Sequence, residues 1–118
     1  MTENPTAAET AATAAAHIRK LAEATADLRG GCASPAETAA VTGSLLALAR
    51  HLDDALQHLE RHVRRIENGA WAAPDGGQPH SHTRQADHAV QSARAEARNM
   101  ARALARAVEA LGHLKPPP

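Results

Sequence analysis

Histidine is the residue type whose number and spacing could carry chemistry in this chain. Eight histidines occur among 118 residues, and imidazole is a common protein ligand for Zn²⁺, Ni²⁺ and Cu²⁺. His58 and His62 are four residues apart. On a helix this spacing places both imidazoles on one face, at a separation that can bind one metal ion. The pair supports a hypothesis of divalent-metal binding.

A complete metal site needs three or four ligands, and this helix supplies two in good geometry. The further candidates are Asp54 and His51 on the same stripe of the helix, and His82 and His88 near the start of the next helix. The competing interpretation is a row of solvated histidines on the flank of a helix. We favour the second interpretation, because nothing in the sequence fixes a third ligand. Metal binding is therefore the alternative function, and no resident cofactor is predicted.

The segment from His58 to His62 superficially matches the helix of a zinc protease. In that motif a glutamate directly follows the first histidine and shares its metal-facing side. Here Glu60 comes two residues after His58, about 200° around the helix. It would face away from the metal and could not activate a bound water, so the spacing excludes this class of enzyme.

Cys32 is the single cysteine, so the chain cannot form a disulfide framework of its own. A nucleophilic thiol needs an oriented base to activate it, and no such base lies nearby in the sequence. An inert thiol is the interpretation we favour. Since no catalytic motif occurs elsewhere, we predict that the chain is not an enzyme.

The charge of the chain is balanced, with 13 basic and 13 acidic residues. A neutral chain argues against binding nucleic acid by phosphate neutralisation, and a single aromatic residue, Trp71, argues against stacking on unpaired bases. Arginines spaced by four residues, from Arg94 to Arg106, predict a basic ridge, which we interpret first as a solvated face and alternatively as a docking surface for an acidic partner. We therefore expect protein partners and neither nucleic acid nor membrane.

Alanine and leucine dominate the apolar residues and strand formers are scarce, which predicts an all-α fold. Thr6 with Glu9 and Ser34 with Glu37 are typical helix starts, and Gly30-Gly31 is typical of a helix end. The expected elements are helix 1 at 5–29, helix 2 at 35–68, a loop at 69–81, helix 3 at 82–114 and a proline-rich tail at 115–118.

Apolar residues in these segments recur at alternating steps of three and four, close to a heptad repeat. Together with short links, this pattern predicts one domain, 1–118, folded as an up-down-up antiparallel three-helix bundle with long, coiled-coil-like helices 2 and 3. We expect leucine packing to be densest between Leu52 and Ile66. Alanine should leave the bundle thin elsewhere, because it buries little area.

A thin, alanine-rich face can be completed by another chain. The leading prediction is a non-enzymatic helical bundle that acts through protein–protein contact, as a homodimer or as an accessory or adaptor subunit. The predicted contact residues are Arg94, Arg98, Arg102, Arg106, Ala93, Ala97 and Trp71. The N-terminus lacks a signal-peptide pattern and no apolar stretch could span a bilayer, so the expected location is the cytoplasm.

Overall fold

The computed structural model describes residues 4–32, 34–69 and 79–114, and their regular secondary structure is entirely α-helical. The helices are α1 (Ala7–Thr25), α2 (Pro35–Glu67) and α3 (Pro79–Gly112). The all-α prediction with three helices is thereby confirmed. The chain divides into two compact units, Met1–Thr38 and Ala39–Pro118. The first contains α1; the second contains most of α2 and all of α3, and these two helices pack against each other.

The first helix begins two residues after the predicted start and ends before the predicted end. Thr6 caps α1, because its Oγ1 accepts a hydrogen bond from the Glu9 amide at 3.1 Å. The helix ends at Thr25, four residues before the predicted end. Beyond it, Asp27 Oδ1 accepts the backbone amide two residues further on at 2.9 Å, an Asx turn that competes with helical hydrogen bonding. The predicted apolar position Leu28 consequently lies outside the helix and is almost fully exposed.

The turn after α1 brings Gly31 close to the end of the helix. Its amide donates a hydrogen bond to the Asp27 carbonyl at 2.8 Å. A Cβ at this position would lie 2.7 Å from that carbonyl oxygen and 2.9 Å from both the Ala24 oxygen and the Thr25 Cα. This close approach requires glycine. At Gly30, by contrast, a Cβ would meet its nearest neighbour, Asp27 Oδ2, at 3.7 Å.

The second helix matches its prediction closely. Ser34 is the N-cap of α2, since its Oγ accepts a hydrogen bond from the Glu37 amide at 3.1 Å. The helix ends at Glu67, one residue before the predicted end. Its 33 residues span about 50 Å at 1.5 Å per residue.

The third helix begins at Pro79, three residues before the predicted start. Proline suits the first turn of a helix, where a missing amide donor has no cost. The helix extends to Gly112 over 34 residues. The predicted tail at 115–118 and most of the predicted loop at 69–81, Trp71 included, lie outside the described residues. None of the described helices combines the length and apolarity needed to cross a membrane.

The contact between α2 and α3 is centred on small side chains. Ala49 and Ala97 are 0% and 2% exposed, and among the described residues no large side chain is fully buried. The expectation of dense leucine packing between Leu52 and Ile66 is wrong, because both of these side chains are exposed. The row of α2 that faces α3 passes through Ala49, and Leu52 and Leu59 lie on its flank.

Candidate functional site

Charged side chains from α2 and α3 meet along one side of the contact between the two helices. Arg94 is at the centre of this group. Its Nε donates a hydrogen bond to Asp53 Oδ1 at 3.0 Å, and its Nη1 donates one to Glu60 Oε2 at 3.1 Å. The side chains of Arg94 and Glu60 are 17% and 9% exposed. Because isolated charges are costly to remove from water, each of these two groups depends on the other.

Further ion pairs extend this group along both helices. Arg64 Nη2 lies 3.0 Å from Glu60 Oε1, and Arg64 Nε lies 3.7 Å from Asp87 Oδ1. Arg98 Nε lies 3.3 Å from Asp53 Oδ2. Three arginines therefore meet three carboxylates, and their formal charges cancel. We call this set the ion-pair cluster: Asp53, Glu60, Arg64, Asp87, Arg94 and Arg98.

The cluster holds its central groups in their charged forms. The hydrogen bond from Arg94 lowers the pKa of Asp53, with partial burial opposing it and Arg98 reinforcing it. In turn, the hydrogen bond to Asp53 raises the pKa of Arg94, again against partial burial. A carboxylate kept ionised by arginines is a weak proton acceptor. The arrangement therefore suits a structural role for Asp53 better than acid–base catalysis.

The candidate metal ligands lie on exposed parts of both helices. They are His51, Asp54, His58 and His62 on α2, and His82 and His88 on α3. Within residues 4–32, 34–69 and 79–114, no three His, Cys, Asp or Glu side chains are placed to hold a metal ion. Glu60 is buried against α3 while His58 and His62 are exposed, which agrees with the exclusion of zinc-protease geometry.

The predicted arginine ridge on α3 is divided by the structure. Arg94 and Arg98 are bound to carboxylates of α2. Arg102 donates a hydrogen bond to an asparagine on its own helix, and Arg106 is exposed. Arg94 therefore belongs to the α2–α3 contact, and Arg98 pairs with α2 while half of its side chain stays exposed. Arg102 and Arg106 face outward.

The remaining candidate residues also differ in their surroundings. Ala97 is buried and Ala93 is half-buried, so Ala97 belongs to the helix contact and offers no open surface. Cys32 is a free, half-buried thiol in the first unit. Trp71 lies outside the described residues, and its predicted role in a contact surface stays a prediction.

Two adjacent rows of residues run along α2, each with alternating steps of three and four. The row facing α3, which we call the closed seam, contains Ala49, Asp53, Leu56, Glu60 and Val63. The neighbouring row, which we call the open seam, contains Val41, Leu45, Leu48, Leu52, Ala55, Leu59, His62 and Ile66. The rows are offset by one residue, and successive residues are 100° apart on a helix. They therefore lie side by side on the surface of α2.

The open seam is apolar and only partly covered. Leu52, Leu59 and Ile66 are between 38% and 46% exposed, and Ala55 and His62 are exposed as well. Isolated apolar side chains at a surface need no explanation, but a continuous row of them is typical of an interaction site. The open seam is therefore an apolar row of the second unit in which Leu52, Leu59 and Ile66 remain exposed.

A large apolar side chain of α3 lies beside the open seam. Met100 is 46% exposed and is turned about 60° from Ala97 in one direction, whereas Arg94 is turned about 60° in the other. On α2, the leucines of the open seam are likewise turned from Ala49 to one side, and Asp53 is turned to the other. The α2–α3 pair thus has one face with a neutralised ion-pair cluster and another, open face that is apolar.

The ion-pair cluster was not predicted from the sequence, where Glu60 served only to exclude a protease. A usable signal was present. Asp53 and Glu60 stand seven residues apart in a row whose other members, Ala49, Leu56 and Val63, are apolar. Carboxylates in such a row need basic partners on the facing helix.

The second unit thus combines a charged face whose groups bind one another with an apolar face that is open. Comparison with protein-family models, with curated proteins and with solved structures finds no match for this chain. The chemistry of these two faces is the basis for a functional proposal.

Proposed function

We propose that this chain is a non-enzymatic helical protein that acts through protein–protein contact, as a homodimer or as an accessory or adaptor subunit. The observation that carries the proposal is the open seam of α2, where Leu52, Leu59 and Ile66 stand in one row and remain 38% to 46% exposed. Burial of such a row by a partner helix would be favourable, at roughly 25 cal/mol per Å² of apolar surface removed from water.

The charged groups support the same proposal. Arg94 and Glu60 are largely desolvated and bound to each other, and Asp53 is kept ionised by two arginines. These groups stabilise the α2–α3 contact in a fixed register. The cluster thereby holds together the two helices that form the open face. The apolar residues of that face are left to make the contact with a partner.

The finer architecture belongs to this proposal as well. We propose that α2 and α3 pack antiparallel, as in a coiled coil. The order of the ion pairs favours this arrangement, since Asp53 meets Arg98 while Arg64, further along α2, meets Asp87, which precedes Arg98 on α3. The steps of three and four in both seams favour it too. A cytoplasmic location completes the proposal.

Site-specific photocrosslinking tests the proposed contact. A photoreactive residue such as benzoylphenylalanine replaces Leu59 on the open seam, or Ala95, which is exposed on α3. Irradiation in native host cells should give a protein adduct from position 59 and far less from position 95, because only the first lies on the proposed contact surface. Equal yields from both positions, or no adduct from position 59, would contradict the proposal.

A further inference from the structure

Resting on the proposed function, we infer that the occupant of the open seam is a second copy of this chain. The two α2 helices would lie antiparallel, related by a two-fold axis that passes between the levels of Asp53 and Asp54. The contact would be isologous, with the same surface used by both copies, as in most protein homodimers. Three features of the second unit carry this inference: the pattern of the seam, its length and its charges.

The pattern of the open seam is complementary to itself. In the register set by this axis, every one of its eight residues meets another member of the seam. The layers pair Val41 with Ile66 of the second copy, Leu45 with His62, Leu48 with Leu59, and Leu52 with Ala55. Leucine thus meets the smaller alanine next to the two-fold axis. Further out, leucine meets leucine, Leu45 meets His62, and Val41 meets Ile66. Steps of three and four are what knobs-into-holes packing between two helices requires.

The length of the seam matches the needs of a stable dimer. From Val41 to Ile66 the seam spans 25 steps along α2, about 38 Å. The open face is two helices wide, since Met100 of α3 lies beside the seam, and each helix is about 10 Å across. Each copy would bury about 750 Å², close to the roughly 800 Å² per partner of a standard protein interface. The partner must supply a helix of matching length and steps, and α2 is such a helix.

The charges beside the open seam also suit a second copy. The outer edge of the seam carries Ser44, His51, His58 and Arg65. Antiparallel pairing places Arg65 of one copy opposite Ser44 of the other. It separates the two Arg65 side chains by about 35 Å along the helix axis. The chain has no net charge, so no long-range repulsion opposes the approach of two copies. On its other side the open seam borders the closed seam, which faces α3.

Cross-linking of paired cysteine variants tests both the partner and its direction. Ser44→Cys and Arg65→Cys are made separately in full-length chain carrying Cys32→Ser, and both positions are exposed. In the antiparallel dimer, position 44 of one copy and position 65 of the other lie about 3 Å apart along the helix axis. Two copies of position 44, or two of position 65, lie roughly 30 Å apart or more. A short bismaleimide should therefore cross-link the mixture of the two variants strongly and each variant alone only weakly.

Ala95→Cys in the same background is the matched control, because position 95 is exposed on α3 away from the seam. Circular dichroism shows whether each variant retains its helices, and sedimentation velocity of the parent chain reports its mass. The antiparallel dimer would be overturned if each variant cross-linked strongly with itself. It would also be overturned if the mixture of the two variants gave no more cross-linked product than Ala95→Cys. A parent chain that sediments as a monomer throughout the micromolar range would overturn the second copy as occupant.

Different results would refute the homodimer and the proposed contact function. A monomeric purified chain whose Leu59 position still gives an adduct with a different protein in cells would refute the homodimer and leave the proposed contact function standing. A monomeric chain without any adduct at Leu59 would refute both.

Discussion

Arg94 donates a hydrogen bond from Nη1 to Oε2 of Glu60 across the α2–α3 contact, at 3.1 Å. Glu60 is the buried charged residue of the closed seam, and a second arginine, Arg64, binds its other oxygen at 3.0 Å. The register between the two helices is thereby tied to one carboxylate. A shift of α3 by one turn that brings Val90 to the level of Arg94 would leave Glu60 buried without this arginine, whereas the opposite shift would bring Arg98 to that level.

Replacement of Arg94 by methionine should lower the melting temperature markedly, because Glu60 would keep its burial and lose a charged partner. Arg102→Met, at an exposed position of the same helix, is the control and should change it little. Thermal melts at one fixed protein concentration measure both effects. Adding Glu60→Met to Arg94→Met should recover part of the loss, and strictly additive losses would show that the two groups do not interact.

Replacement of Ala97 by leucine should destabilise the α2–α3 contact by about 1–3 kcal/mol, since the position is 2% exposed and a larger side chain must displace its neighbours. Ala95→Leu is the matched control, because Ala95 is exposed and should change stability by no more than about 0.5 kcal/mol. Urea unfolding followed by circular dichroism compares the two variants. Equal midpoints would contradict the close helix approach at Ala97.

Replacement of Gly31 by alanine should cost at least about 1 kcal/mol of stability in the turn after α1, because the added Cβ has no room there. The carbonyl oxygen of Asp27 would lie 2.7 Å from it. Gly30→Ala should be tolerated far better, since its nearest neighbour would be 3.7 Å away. Amide exchange of the last turn of α1 and thermal melts distinguish the two variants, and the reverse order would contradict the turn geometry.

Acid should weaken the α2–α3 contact through Asp53, whose pKa is lowered in the folded chain by its hydrogen bond from Arg94. A lowered carboxyl pKa contributes stability above the unfolded value of about 3.9. This contribution is lost as the pH falls through the lower folded pKa. Asp53→Asn should thus be less stable than the parent near neutral pH, with the difference shrinking below about pH 4. Denaturant titrations across this range measure it, and a constant difference would contradict the ion pair.

Capping motifs in the sequence predict the end of a helix correctly where the capping hydrogen bond lies within the motif itself. Ser34 caps α2 because its hydroxyl reaches the Glu37 amide, a contact contained in four residues. The predicted end of α1 is four residues too late, because the Asx turn at Asp27 competes with helical hydrogen bonding. α3 starts three residues before its predicted start, because Pro79 belongs to the first helical turn and not to the loop.

The candidate surfaces were harder to predict than the helices, because they depend on which row of α2 meets α3. Steps of three and four fit both the closed and the open seam, so the periodicity alone does not show which row meets α3. The prediction therefore missed the pairing of Asp53 and Glu60 with Arg94, and it assigned Arg94 and Ala97 to an outer surface. The two rows differ by a rotation of one residue, 100° around the helix, and a single sequence does not determine that rotation.

Ala49 and Ala97 are the buried apolar side chains of the α2–α3 contact, and they are so small that no single layer dominates the cohesion between the two helices. Cohesion is instead distributed along the helices, and local opening should become gradually more frequent toward their ends. A partner seated on the open seam would supply the burial that this pair lacks. Association and rigidity would then rise together, so that the bound chain is also the better ordered one.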